Sequence, residues 1–254
     1  MRTLLVERMS WRDIQEAIAA GYDTILQMVG SVEQHGPHLP VGTDTVLGYA
    51  WGEAIAHRLG NTLVAPVIRP GFSPHHEGFP GTMSLDEATL AAIIGQSCRS
   101  WAMSGFKKIV LLCSHGGNWP TVHKYLRRFQ AQADPTAQVL TLAPEVVQDI
   151  EKRIYAFLEQ KGIAPGRAGI HAGLRETAYM MWIAGELVNT DAIEPGFIHA
   201  EAIRQLESCG SVRALSTNGI LGDPRGADPE LGRELNELTV RLHVEALLKE
   251  LKKQ

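Results

Sequence analysis

Cysteine is scarce in this sequence. Cys98, Cys113 and Cys209 are spread through 254 residues, at a spacing that makes neither a disulfide framework nor a zinc knuckle, so we read them as reduced thiols. Long apolar runs are absent as well: nothing approaches the ~20 residues that span a bilayer. The opening M-R-T-L-L-V-E-R-M-S lacks the apolar core of a secretory signal, and a cytoplasmic location is expected. An excess of positive charge is also missing. Lys and Arg number 24 against 28 Asp and Glu, a net charge of -4, which excludes the basic footprint of a nucleic-acid partner. No internal repeat or low-complexity tract interrupts the chain. What remains is 44% hydrophobic and 20% charged, the profile of a globular protein with a sizeable core, and residues 1–254 are expected to form one domain.

Apolar runs alternate with helical patterns along the chain. Strands are expected from Thr24 to Gly30, Thr62 to Ile68, Lys107 to Cys113 and Gln138 to Leu142, with Pro66 casting doubt on the centre of the second. Helices are expected at 10–21, 44–59, 86–105, 119–133, 144–160, from His171 to Trp182, and at 228–253. Residues 185–227 have weak periodicity and many Gly and Pro, so they are expected to be mostly irregular. Strands that alternate with helices imply a mostly parallel sheet covered on both faces, an α/β fold.

One stretch concentrates polar chemistry. G-S-V-E-Q-H-G-P-H-L-P-V-G-T-D-T, from Gly30 to Thr45, follows the first strand and carries Glu33, His35, His38 and Asp44. Glu33 and His35 are two apart, so an extended backbone points them to the same side, and Asp44 returns through a turn rich in Gly and Pro. Such mixed oxygen and nitrogen donors suit divalent Zn, Mn or Fe. Taken singly, each has an ordinary explanation, Asp44 as a helix N-cap and the histidines as partners of loop carbonyls. Together, at the end of a buried strand, they read as a metal site.

Further candidates also follow strands directly. His75 and His76 lie in the loop after the second strand, and His115 follows the third in S-H-G-G-N. This is where open α/β sheets bind ligands. Glu176 lies five residues after His171, where the helix dipole alone would also account for an acid. The serines lack a strand-to-helix nucleophile elbow, and Cys113 lacks an activating base.

The motifs G-S-V-E-Q-H-G-P-H-L-P-V-G-T-D, S-P-H-H-E-G-F-P-G-T, G-F-K-K-I-V-L-L-C-S-H-G-G-N, H-A-G-L-R-E-T and G-I-L-G-D-P occur in order from residue 30 to 224. With them the sequence resembles the creatininase (creatinine amidohydrolase) family over nearly its whole length. The resemblance implies a three-layer α/β/α sandwich, a homohexamer, and a hydrolytic site with two divalent metal ions. By position, Glu33, His35, Asp44 and His115 match the family's metal ligands, with Asp44 bridging both ions. His171 matches a proton-moving histidine, and Glu176 matches the acid of the H-x-G-x-x-E-T segment.

This chain departs from creatininase itself in three places. Gly116-Gly117 replaces a Tyr-Glu pair whose Glu binds the second ion, which leaves Glu176 as the candidate for that role, as ligand or as acid–base group. Arg167 stands where creatininase has a tryptophan, so creatinine is disfavoured as the substrate. Cys113-Ser114 replaces an Asn-Gly pair and alters the pocket floor.

The expected activity is hydrolysis of a C–N amide bond in a small, possibly cyclic or formyl-type molecule. A metal-bridging hydroxide would attack, with His171 supplying a proton to the leaving group. His76, Ser114, Asn118 and Arg167 are the candidate substrate contacts. Arg167 would favour an anionic or polyhydroxylated substrate if it faced the pocket, although a solvated surface arginine is the ordinary alternative. The resemblance also allows a ring-opening hydrolase of a keto-inositol (inosose) or a deformylase of a pyrimidine nucleotide intermediate. A structural or storage metal protein is the non-enzymatic alternative, but a structural zinc site would be closed and four-coordinate.

Overall fold

The computed structural model describes residues 3–252. Lys253, expected to end the last helix, lies outside them. Four strands form one parallel sheet: β1 (Thr24–Val29), β2 (Thr62–Val64), β3 (Lys108–Cys113) and β4 (Gln138–Thr141), in the order β2-β1-β3-β4. The longer helices are α1 (Trp11–Ala19), α2 (Thr43–Leu59), α3 (Glu87–Met103), α4 (Trp119–Gln132) and α5 (Pro144–Gln160), and the short α6 (Pro165–Ala168) follows. Then come α7 (Leu174–Ala184), α8 (Ala202–Cys209), α9 (Val212–Leu215) and α10 (Pro229–Lys252).

Strand side chains alternate between two apolar layers, as the pleat requires. Ile25, Val29, Ile109 and Leu111 face Leu90, Ile94, Phe106 and Phe129 on the side of α1, α3 and α4. Leu26, Met28, Val110 and Leu112 face Leu47, Ile55, Ile154 and Leu235 on the side of α2, α5, α7 and α10. Both faces of the sheet are therefore covered, which explains why β1 is buried along its whole length and reads as a continuous apolar run. Its two polar side chains are satisfied: Thr24 Oγ1 donates to Asp23 Oδ1, Gln27 Oε1 accepts from Ser97 Oγ and Trp101 Nε1, and Gln27 Nε2 donates to the Pro66 carbonyl. This is the expected α/β/α arrangement.

The chain leaves β1 through α2 on one face and reaches β3 through α3 on the other. The carboxyl ends of β1 and β3, adjacent in the sheet, therefore diverge into a crevice, the switch point at which this architecture places ligands.

Three expectations change. The second strand ends at Val64 rather than Ile68, because Pro66 has no N–H to give the ladder; Ile68 regains β1 only as an isolated bridge to Val29. The helix expected from His171 begins at Leu174. His171 instead forms an antiparallel bridge with Leu221, and Ala172 takes a left-handed φ of 51°, costly for a residue with a Cβ. The stretch 185–227 contains α8 and α9 and seats Ile220 and Leu221 in full burial. Helices this short do not repeat an apolar pattern often enough to announce themselves.

Candidate active site

The loop after β1 delivers the first donors. Glu33 is 0% exposed and its backbone N–H donates to the Val41 carbonyl, which closes the Gly/Pro turn. Asp44 lies in the first turn of α2 but is not its cap. Gly42 is the capping position, and no side chain caps it. The Asp44 carboxylate is therefore available to the crevice, and the N-cap explanation of this residue does not hold.

These donors converge with others from three further elements. Asp44 Oδ1 lies 3.6 Å from His35 Nε2, and its Oδ2 lies 3.4 Å from His115 Nδ1. Glu33 Oε1 lies 3.1 Å from His115 Nδ1, 3.4 Å from His76 Nε2 and 3.7 Å from His171 Nδ1. Glu176 Oε2, from α7, is 4.0 Å from His35 Nε2, held by the Ala172 N–H at 2.5 Å, so the left-handed turn at Ala172 positions this carboxylate. Glu33–His35–Asp44, His35–His171–Glu176 and Glu33–His76–His171 each bring ligand atoms within 4.8 Å of one another.

The outward hydrogen bonds fix which ring nitrogen faces inward. His35 Nδ1 donates to the Glu33 carbonyl at 3.0 Å, so Nε2 is the nitrogen that faces Asp44. His115 Nε2 donates to the Phe72 carbonyl at 3.1 Å, so Nδ1 faces Glu33 and Asp44. His171 Nε2 donates to the Gln34 carbonyl at 2.6 Å, which leaves Nδ1 bare. Imidazoles held in this way by carbonyl acceptors are typical of metal sites, where the second bond sets both tautomer and ring angle. His76 is the opposite case. Its Nδ1 accepts from Gln34 Nε2 at 2.9 Å, so its Nε2 carries the hydrogen and points a donor at Glu33.

Glu33 Oε1, His35 Nε2 and Asp44 Oδ2 are buried without a hydrogen-bond partner. Stranding polar atoms like this costs free energy unless something is bound between them. The charges agree. Burial pushes the Glu33 carboxyl up, but the imidazoles of His115 and His76 more than reverse it, and its pKa falls below the usual range. Burial pushes Asp44 up too, and His35 and His115 pull it below. Burial would depress His35, yet Asp44, Glu176 and Glu33 lift it to about 9. His115 is raised for the same reason, by Glu33 and Asp44. Without metal the cluster retains protons, the cations that divalent ions displace on binding. The donor set, carboxylates with neutral imidazoles, fits Zn, Mn or Fe.

His171 and His76 are held in the neutral form instead. Burial lowers the pKa of both, reinforced at His171 by the charge of His35. Burial also raises Glu176, helped by Asp44.

The remaining sequence candidates lie elsewhere. Ser114 Oγ borders the cavity but donates to the Asp44 carbonyl at 2.7 Å. Asn118 is fully buried; its Nδ2 donates to the carbonyls of Val29 and Gly30, and its Oδ1 accepts from the Phe72 N–H. It clamps β1 to the His75–His76 loop rather than facing the cavity. Arg167 turns to Asp223 and to the Arg225 carbonyl, with 42% of its side chain exposed, and does not line the cavity. His38 donates to Thr177 Oγ1 at 2.8 Å, beside the cluster rather than in it. Gln34, the amide that orients His76, was not singled out above. Its place between Glu33 and His35 was the available signal, but strict alternation puts it on the other side of the strand.

A cavity of about 630 Å³ opens from the cluster and extends between α5, α7 and α10, with α8 at its rim.

Comparison with known proteins agrees with this geometry. A mycofactocin precursor peptide peptidase of Mycobacterium ulcerans is 33% identical over 227 residues, 84% of this chain and 80% of its own length. The creatinine amidohydrolase of Pseudomonas putida is 26% identical over 208 residues, 76% of each chain. Among solved structures, a manganese form of creatininase superposes with a TM-score of 0.75 at 26% identity, covering 98% of this chain and 99% of that one. The creatinine amidohydrolase family model matches residues 7–247, and the chain belongs to that family of metal-dependent amidohydrolases.

Proposed function

We propose that this enzyme hydrolyses a C–N amide bond, with two divalent ions held by Glu33, His35, Asp44, His115 and Glu176. The observation that carries the reading is the set of three buried, unpartnered atoms, Glu33 Oε1, His35 Nε2 and Asp44 Oδ2. The two oxygens of Asp44 face different histidines, as a bridging carboxylate requires. Such ions, held by these residues, would supply an acidified water and Lewis-acid polarisation of the amide carbonyl.

The chain's own residues account for the rest. His171 has a bare Nδ1 3.7 Å from Glu33 Oε1, and burial keeps it neutral. It can take a proton at Nδ1 and return it to the departing nitrogen, while its Nε2–H stays on the Gln34 carbonyl. His76, with Nε2–H directed into the same space, offers a donor to developing negative charge. Its hydrogen cannot move to Nδ1 while Gln34 donates there.

The cavity holds far more than a single five-membered ring, since 630 Å³ falls in the ~300–1,000 Å³ range of sites that enclose drug-sized ligands. The substrate we propose is therefore a small amide, cyclic or open-chain, larger than creatinine. The name of the Mycobacterium relative, a precursor peptide peptidase, adds short peptides to the compounds worth assaying. By resemblance the enzyme works as a homohexamer, which light scattering would check. The test of function is elemental analysis with amide hydrolysis on the same samples. About two labile ions per chain and amidase activity abolished by chelation are expected; one inert zinc without hydrolysis would make the protein a structural zinc protein instead.

A further inference from the structure

Away from the metal cluster, the same cavity presents a second set of unsatisfied groups. Arg175 lies on α7 beside Glu176, and the two project about 100° apart around the helix, into neighbouring sectors. Arg175 and Trp51, from α2, both line the cavity. The Arg175 guanidinium is held on two sides. Its Nη1 donates to Glu151 Oε2 at 2.5 Å, and the ring of Tyr155 covers its plane at 5.2 Å. Only 14% of the side chain is exposed. The side edge is left over: Nε is buried without a partner, and among the described residues Nη2 has no acceptor either. Trp51 Nε1 is a second buried donor without an acceptor, and its indole packs edge-on against Tyr179 at 5.3 Å. Tyr179 lies four residues after Arg175, on the same face of α7.

A buried guanidinium with a free Nε/Nη2 edge matches the two oxygens of a carboxylate, the bidentate pairing for which arginine is suited. Buried donors without acceptors are rare in folded proteins, and two in one cavity call for an acceptor brought from outside. The neighbouring walls, Ile150, Ile154, Tyr155 and Tyr179, are apolar and aromatic. We propose that Arg175, assisted by Trp51, is the specificity-determining residue for a free carboxylate on the substrate. The preferred substrates are then acylated amino acids with an apolar side chain, their amide carbonyl at the cluster and their carboxylate at Arg175. This gives Arg175 the part that sequence position suggested for Arg167. The inference rests on the amide-hydrolase reading for its chemistry, but the recognition step can be measured apart from it.

The experiment pairs binding with turnover on the metal-loaded protein. Calorimetry compares 3-phenylpropionate with 3-phenylpropanamide, and hydrolysis compares N-formyl and N-acetyl apolar amino acids with their carboxamides. The wild type should prefer each acid by about 10- to 100-fold, the range for a charge-assisted pair. Arg175→Met should lose that preference through KM, with kcat and metal content nearly unchanged. Trp51→Phe should lose about three- to tenfold, and Glu151→Gln should keep the preference. Trp51→Phe decides the matter should Arg175→Met fail to fold. Equal affinity of the wild type for acid and amide overturns the proposal. So does an acid preference that survives Arg175→Met, since the metal ions would then be the carboxylate's partner. If the acid preference follows Arg175 but none of the amides is hydrolysed, the carboxylate site stands and the amide-hydrolase reading fails. Hydrolysis indifferent to the carboxylate has the opposite meaning.

Discussion

Two of the helices that border the cavity, α7 and α8, are built differently. α7 packs against α10 and α2 and buries Leu174, Thr177, Ala178, Tyr179 and Met180. It carries Arg175, Glu176 and Tyr179 on a support that cannot easily shift. α8, at the rim, packs chiefly on α9 and buries only Ala202; Ile203 lines the cavity yet is 55% exposed. The contrast separates two requirements. Groups that must meet within a few tenths of an ångström sit on elements fixed by core packing, because small misplacements are costly to catalysis. A cover need only exclude water, so fewer packed residues suffice and it belongs to the less stable part of the molecule. Substitutions at the two places should therefore have different signatures.

The largest effect is expected at the floor that α7 faces. Asp44→Ala removes the one carboxylate with an oxygen toward each of His35 and His115. Both ions and all measurable turnover should be lost, with elemental analysis and activity read on the same sample. Full metal occupancy in this variant would mean that Asp44 bridges nothing.

Next is His171→Ala, expected to keep both ions while turnover falls by roughly two to four orders of magnitude, the range for lost acid–base catalysis. Glu176→Gln should instead lose one ion. His171 lies before the first turn of α7 and Glu176 within it, so the two are positioned by different constraints and can be separated. Metal loss from the His171 variant together with retention in the Glu176 variant would exchange their roles.

How much of this was legible beforehand follows the same division. The sheet was readable because β1, β2 and β3 are buried, largely apolar runs bounded by turn residues, and the cluster because Glu33, His35, Asp44 and His115 follow strand ends in a fold that binds ligands there. Where Pro66 ends β2, and where α7 starts after Ala172, depended on backbone geometry that residue type only hints at. The anionic-substrate idea was attached to Arg167, but Asp223, 56 residues away in sequence, takes that side chain. Only three-dimensional packing shows that Arg175 is the arginine with a free edge in the cavity. Gln34 was hidden for a related reason: its partners His76, His171 and Gly219 are brought to it from three distant segments.

A fourth variant tests rigidity without touching the cluster. Asn118→Ala strands the carbonyl of Gly30 and the N–H of Phe72, while the Val29 carbonyl keeps the Ser114 N–H. The expected loss is roughly 3 kcal/mol of stability, since each buried group left unsatisfied costs on the order of 1–3 kcal/mol. Urea unfolding would measure it as a lower midpoint at unchanged slope. A loss below ~1 kcal/mol would show that the loop after β2 does not depend on this clamp.

The smallest effect is expected on the cover. Ile203→Ser removes an apolar side chain that is more than half exposed, from a helix whose only buried residue is Ala202, so stability should change by less than ~0.5 kcal/mol, as is usual for exposed positions. Its position at the cavity rim makes substrate affinity the quantity at risk. KM for apolar substrates should rise by about two- to fivefold, roughly the transfer free energy of one partly buried methylene or two, with kcat and metal content constant. Measuring Tm, KM and kcat together distinguishes the possibilities. A large drop in Tm would mean that α8 is packed as tightly as α7 and the contrast between the helices is false. A drop in kcat at constant KM would mean that α8 helps position reacting groups rather than covering them.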